Sequence, residues 1–251
     1  MRNLLFILCC LLSLSVAGQD DLNYDGNNDG CVNYEDVLNI LTEYGQCEDS
    51  SIFECGETIA HHDYDYSTVQ IGEQCWFSEN CRYLPVVSPS SEGSYNDPYY
   101  YVFDYEGTDV TAAQATSNYA TYGVLYNWAA VMTEGICPTG WHVPSEGEFT
   151  QLADFLGGAS VAGYAMKSTS GWDDSDGNSG NGSNSSGFNG LPGGLRTTMG
   201  VLQGPGFNGY WWSATEVDTY AWMHRLINAA DILGCSDYYR HSGMSARCVR
   251  D

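Results

Sequence analysis

Residues 25–36 read Asp-Gly-Asn-Asn-Asp-Gly-Cys-Val-Asn-Tyr-Glu-Asp, so oxygen-bearing side chains recur at alternate positions. Set against the calcium-binding loop of an EF-hand, Asp25, Asn27 and Asp29 take positions one, three and five, and Gly30 supplies the sharp turn at six. Cys31 offers its backbone carbonyl at seven, Asn33 stands at nine, and Asp36 closes the loop at twelve. Calcium requires about six to eight hard oxygens at roughly 2.3–2.6 Å, and this spacing wraps such a set around one ion. The register that starts at Asp21 instead puts Val32 in the closing position, where an apolar side chain cannot coordinate. Calcium is therefore the expected cofactor.

The other chemistry-bearing residues direct the reading less. A glycosidase needs two carboxylates flanking a cleft, and among 32 acidic residues no flanking motif marks a pair. His142 sits between Trp141 and Val143 in a wall-like segment, which predicts a buried structural histidine, since no nucleophile is paired with it. Asp173, Asp174, Asp176 and Asn178 lie in the long polar stretch 172–187 and form a candidate second calcium or ligand loop. No ligand spacing supports that assignment, and the plain alternative is a flexible surface loop.

These groups must be positioned by two kinds of structure. After the loop, Val37, Leu38, Ile40, Leu41 and Tyr44 recur at helical spacing and Gly45 stands where a helix would stop. From Cys55 onward the pattern changes to short aromatic-rich strands. Tyr64–Ile71, a turn at Gly72-Glu73 and Gln74–Phe77 read as a β-hairpin. Residues 99–105 read as a further strand or an aromatic surface loop, and 121–132 as helical in its second half, burying Leu125, Trp128 and Val131. Ser145 with Glu148 is a capping box, followed by Phe149, Leu152, Phe155 and Leu156 at helical spacing. Residues 210–213, 220–227 and 245–249 alternate like sheet strands.

The N-terminus places all of this in an exported chain. Residues 1–18 give one positive charge, an apolar run and small residues, the layout of a secretory signal peptide removed after Gly18. That run is too short to span a bilayer, and no later stretch approaches a span. Cys9 and Cys10 leave with it, since Leu8 stands where a lipoprotein signal requires a small residue. The remaining cysteines are Cys31, Cys47, Cys55, Cys75, Cys81, Cys137, Cys235 and Cys248. An even number in an exported chain favours disulfides, and the lack of a tight C-x-x-C pair disfavours zinc. Connectivity stays open among on the order of a hundred pairings. The arrangement expected is Cys31–Cys47, Cys55–Cys75, Cys137–Cys248 and, by elimination, Cys81–Cys235. A formal charge of −24, more negative once Arg2 is removed, repels phosphate backbones and anionic lipid. That charge counts against nucleic acid and membrane surfaces as partners.

Several phrases then invite comparison with known families. They are Cys137-Pro-Thr-Gly-Trp-His-Val-Pro-Ser145, Lys167-Ser-Thr-Ser-Gly-Trp172, Gly187-Phe-Asn-Gly-Leu-Pro-Gly-Gly-Leu-Arg196, Gly209-Tyr-Trp-Trp-Ser-Ala-Thr-Glu216 and Gly243-Met-Ser-Ala-Arg-Cys-Val-Arg-Asp251. In this order the set resembles the Fibrobacter succinogenes major paralogous domain, a family of secreted bacterial modules, from about Cys55 to Asp251. The resemblance implies an α+β fold with a hairpin-built sheet, similar to C-type-lectin-like and formylglycine-generating-enzyme-like modules, and no particular reaction. The loop at 25–36 and its helix resemble one half of a dockerin; the second half that dockerins normally carry is not found.

The expected organisation is a signal peptide (1–18), a dockerin-like calcium unit (19–47), a linker (48–54) and the large module (55–251). The function expected is a secreted, calcium-stabilised, disulfide-bonded binding or adhesion module without catalytic activity, with an extracellular glycan as the ligand class considered. The alternative is a structural or docked surface component that uses the calcium unit to attach to a cell-surface protein. A polysaccharide-active or cysteine-oxidase-like enzyme ranks below both, because a cysteine oxidase needs unpaired reactive thiols and disulfide parity leaves none.

Overall fold

The computed structural model describes residues 53–251. The signal peptide, the calcium-loop residues Asp25, Asn27, Asp29, Cys31, Asn33 and Asp36, and the Cys31–Cys47 pairing lie outside the described residues. Residues 54–251 form one compact unit, a mixed α+β module made mostly of strands. Among the described residues no helix is long and apolar enough to cross a membrane.

Two sheets frame the module. The first contains β1 (Thr58–His61), β2 (Tyr64–Ile71), β3 (Gln74–Phe77) and the late strand β11 (Val249–Arg250), in the order β1-β2-β3-β11. The turn between β1 and β2 uses His62 and Asp63, both at positive φ, as the right-handed twist of a two-residue hairpin demands. The hairpin β2–β3 forms as the sequence predicts, with Ile71 opposite Gln74.

The second sheet has the order β10-β9-β8-β6-β7 and is built from β6 (Gly193–Arg196), β7 (Leu202–Pro205), β8 (Asn208–Val217), β9 (Tyr220–Ile227) and β10 (Ala230–Tyr239). Gly194 sits at φ +68, and a Cβ there would lie 2.4 Å from the Gln203 carbonyl oxygen, so the β6–β7 approach requires glycine. Consecutive Trp211 and Trp212 pair in register with His224 and Met223 and are both buried, so β8 is covered on both faces there.

A short pair, β4 (Tyr100–Tyr101) and β5 (Leu125–Tyr126), lies in the intervening segment. Within 99–105 a short strand and the residue after it are buried, Tyr100, Tyr101 and Val102, while Asp104 is exposed. Helices α1 (Val110–Gln114), α2 (Ser117–Tyr122) and α3 (Trp128–Val131) are short and start at the side-chain caps Asp109, Thr116 and Asn127. Helix α3 takes the second half of 121–132 as expected, and Leu125 is buried, on β5.

Helix α4 (Glu146–Phe155) starts at the predicted capping box, in which Ser145 and Glu148 bond each other's backbone. Phe149 and Leu152 face the core, but Phe155 is exposed and lies over the Gly72 turn. Helix α5 (Ala162–Met166) follows. Trp76, Phe149, Leu152, Phe188, Trp211, Leu226 and Val249 form a single apolar cluster. Strands β3, β8, β9 and β11 and helix α4 thus share one core, with roughly 0.8 kcal/mol gained per buried methylene.

A polar knot runs through that core. Asn80 Oδ1 accepts from Trp211 Nε1 at 2.9 Å and from Arg247 Nε at 3.1 Å, while Asn80 Nδ2 donates to the Tyr122 carbonyl at 2.9 Å. Arg247 also donates to the carbonyls of Phe77, Phe188 and Asn189, and its guanidinium lies over the Phe188 ring. Burial pulls its pKa down to about 9.

The disulfides correct one expectation. Cys55–Cys75 and Cys137–Cys248 are bonded, whereas Cys81 and Cys235 are free thiols. Cys81 is buried just beyond β3, while Cys235 is exposed on β10 opposite His224 in the other sheet, so elimination paired two residues that the topology separates.

Candidate functional site

Residues 134–142 form a wall shared by two hollows. The larger, an open cleft of 680 Å³, is bounded by Ile59–His62 on one side and by Glu134, Gly135 and Cys137–Trp141 on the other. The smaller, 250 Å³, also uses Glu134, Gly135, Cys137 and Trp141 and extends to His142, Val143 and Ala214.

The wall has few degrees of freedom. The Cys137–Cys248 disulfide ties it to the C-terminal segment. His142 and Val249 exchange backbone hydrogen bonds of 2.9 and 2.8 Å, and Ile136 is buried beneath. Trp141 turns inward against Phe77, with ring centroids 5.0 Å apart.

Facing the wall, His61 and His62 aim their Nε2 atoms at one acceptor, the Gly135 carbonyl, at 2.8 and 2.7 Å. A carbonyl only accepts, so each ring donates its Nε2–H to it. Burial lowers the His61 pKa, the bond to Gly135 opposes that, and neighbouring His62 lowers it further. The two rings lie 4.0 Å apart, and His62 stacks on Tyr83 at 4.2 Å. This face offers flat rings, ring nitrogens and the Glu134 carboxylate, a combination suited to a polar ligand with an apolar side.

The residues singled out by sequence fall elsewhere. Asp173, Asp174 and Asp176 lie in a loop that is laced to its surroundings. Asp173 donates its N–H to Gly206, Asn228 donates its side-chain amide to the Asp173 carbonyl, and Ser175 and Asn178 bond each other. Gly182, Ser183, Asn184 and Ser186 donate to the carbonyls of Ser168, Tyr164, Lys167 and Ala165. Hydrogen bonding orders a stretch that has too few apolar residues to be ordered by burial.

His142 is exposed, contrary to the buried structural role its flanks suggest. Extended backbone alternates, so Trp141 and Val143 turn inward and the residue between them turns out. Its Nε2 lies 2.5 Å from Glu148 Oε1. Glu148 is partly buried, which would raise its pKa, yet hydrogen bonds from the Ser145 hydroxyl and N–H and from His142 bring it below the ordinary value.

The free thiols are held protonated. Burial pushes the Cys81 pKa to about 12, and burial together with the Glu146 charge pushes Cys235 to about 11. Sequence reasoning passed over His61 and His62. The available signal was their adjacency, with Asp63 following just before the strand that begins at Tyr64.

Compared with known proteins, residues 69–250 match the Fibrobacter succinogenes major domain. No curated protein and no solved structure matches the chain.

Proposed function

The chain belongs to the Fibrobacter succinogenes major domain family, and on that premise we propose that it is a secreted, calcium-stabilised binding or adhesion module without catalytic activity, which takes an extracellular glycan in the cleft beside His61 and His62. The observation that carries this reading is the cleft itself, with its disulfide-anchored wall opposite paired imidazole rings. A sugar presents an apolar ring face and directional hydroxyls, and small-ligand sites combine apolar walls with a few fixed polar groups in the same way. The leader at 1–18 and the two disulfides favour an exported, oxidising location. The pairing of β11 with β3 favours a C-type-lectin-like frame closed by its own C-terminal strand, although fold alone does not give a ligand.

Calcium enters through the front unit. Asp25, Asn27, Asp29, Asn33 and Asp36 with the Cys31 carbonyl would hold it. So short a unit buries little core, so the ion would supply its folding energy. Thiols held protonated give no nucleophile at neutral pH, which supports a binding role over a cysteine-based oxidase.

A glycan array probed with the refolded mature chain, with and without calcium, tests the proposal. Selective binding that His61→Ala and His62→Ala weaken supports the cleft. Binding that both variants retain in full removes the cleft, and silence under both conditions removes the glycan. The alternative, attachment to a protein through the single dockerin-like loop, would then be sought by pull-down with and without chelator.

A further inference from the structure

His142, Glu148 and Asp251 come from three separate segments, and each offers one ligand atom, all within 4.8 Å of one another. Among the described residues this is the one such gathering of three His, Cys, Asp or Glu side chains. We propose that these three residues form a binding site for a divalent transition-metal ion of the zinc class.

The geometry is prepared by backbone and cap. Reciprocal hydrogen bonds between His142 and Val249 place the imidazole beside the strand that leads to Asp251. Helix α4 places Glu148, whose Oε2 accepts from the Ser145 N–H and hydroxyl, both at 2.7 Å. Oε1 is left facing His142. Outer hydrogen bonds of this kind orient a metal ligand and favour its charged form.

The donor set selects the ion. One imidazole with two carboxylates suits zinc, cobalt, nickel or iron, whereas calcium and magnesium prefer oxygen alone. Two carboxylates converging on one imidazole need positive charge between them. A bound dication supplies it. The His142 side chain is 47 % exposed and that of Glu148 16 %, so water can complete the coordination on the open side. A chain of formal charge −24 also raises the local cation concentration.

The test is titration of the full mature chain with Co2+, then Zn2+ in competition, in excess calcium so that the front loop does not compete. The expected result is saturable uptake of one Co2+ with visible d–d absorption, displaced by Zn2+. His142→Gln and Asp251→Asn each lose the bands and weaken binding by roughly tenfold or more. If the wild-type chain shows no saturable uptake, the cluster is an ion pair only and the proposal fails. It fails equally if Asp251→Asn retains wild-type bands and affinity. Near-UV circular dichroism checks that each variant is folded; should His142→Gln not fold, the exposed Asp251→Asn decides.

Discussion

Cys81 holds its Sγ 3.6 Å from Cys248 Sγ, the sulfur already bonded to Cys137. A thiolate so placed could exchange with the disulfide, but burial pushes the Cys81 pKa to about 12 and keeps the proton on. In the native chain at neutral pH, iodoacetamide should label Cys235 slowly and leave Cys81 unlabelled. Unfolding in guanidinium without reductant should expose Cys81 and generate Cys81–Cys248 linked peptides. Peptide mass mapping reads both outcomes, and native labelling of Cys81 at the rate of Cys235 would contradict the account.

Arg247 satisfies Asn80 Oδ1 and the carbonyls of Phe77, Phe188 and Asn189. Arg247→Met takes this donor from the carbonyls of Phe77, Phe188 and Asn189, while Asn80 Oδ1 keeps Trp211 Nε1, at about 1–3 kcal/mol for each carbonyl that cannot relax. A loss of roughly 3 kcal/mol or more in urea unfolding is expected, and Arg247→Lys should not restore it because one ammonium cannot reproduce the fork. A loss under about 1 kcal/mol would show that water or repacking replaces the guanidinium.

His224 stacks on Phe149 at 4.1 Å, with its Nδ1 buried and without a hydrogen-bond partner. Burial lowers its pKa from the ordinary 6.5 to about 3. Between those values the unfolded chain binds a proton that the folded chain refuses. Stability therefore rises with pH across that window and is lost as pH falls from 6.5 toward 3. At about 1.4 kcal/mol per unit, the loss is several kcal/mol over the full range. His224→Gln should flatten the acid limb of a plot of urea midpoint against pH, and an unchanged limb would assign the titration to another group.

Ser145 closes both halves of the α4 capping box. Ser145→Ala should cost about 1 kcal/mol and, by loosening Glu148, weaken any Co2+ uptake at His142. Thermal unfolding and the cobalt bands read the two effects separately.

What was legible in the sequence was local. The Tyr64–Phe77 hairpin and the Ser145 cap each depend on residues a few positions apart, and both formed. Strand β10 was passed over because Asp231, Gly234, Ser236 and Asp237 weaken its alternation, and only pairing with β9 makes it a strand. The Arg247 knot and the cleft were hidden for a related reason. Gly135 meets His61 and His62 across more than 70 positions, and no local pattern reports such a meeting. His142 was misread although the alternation around it pointed outward.

Strand β3 has β2 on one edge and finds its other neighbour only in β11, at Val249 and Arg250. For a chain made N-terminus first, that edge stays open until the far end of the module has emerged. The Cys137–Cys248 bond must wait for the same arrival. Synthesis and folding are thereby placed in sequence, with an unfinished chain exposing a bare strand edge and an unpaired Cys137 until its last residues arrive.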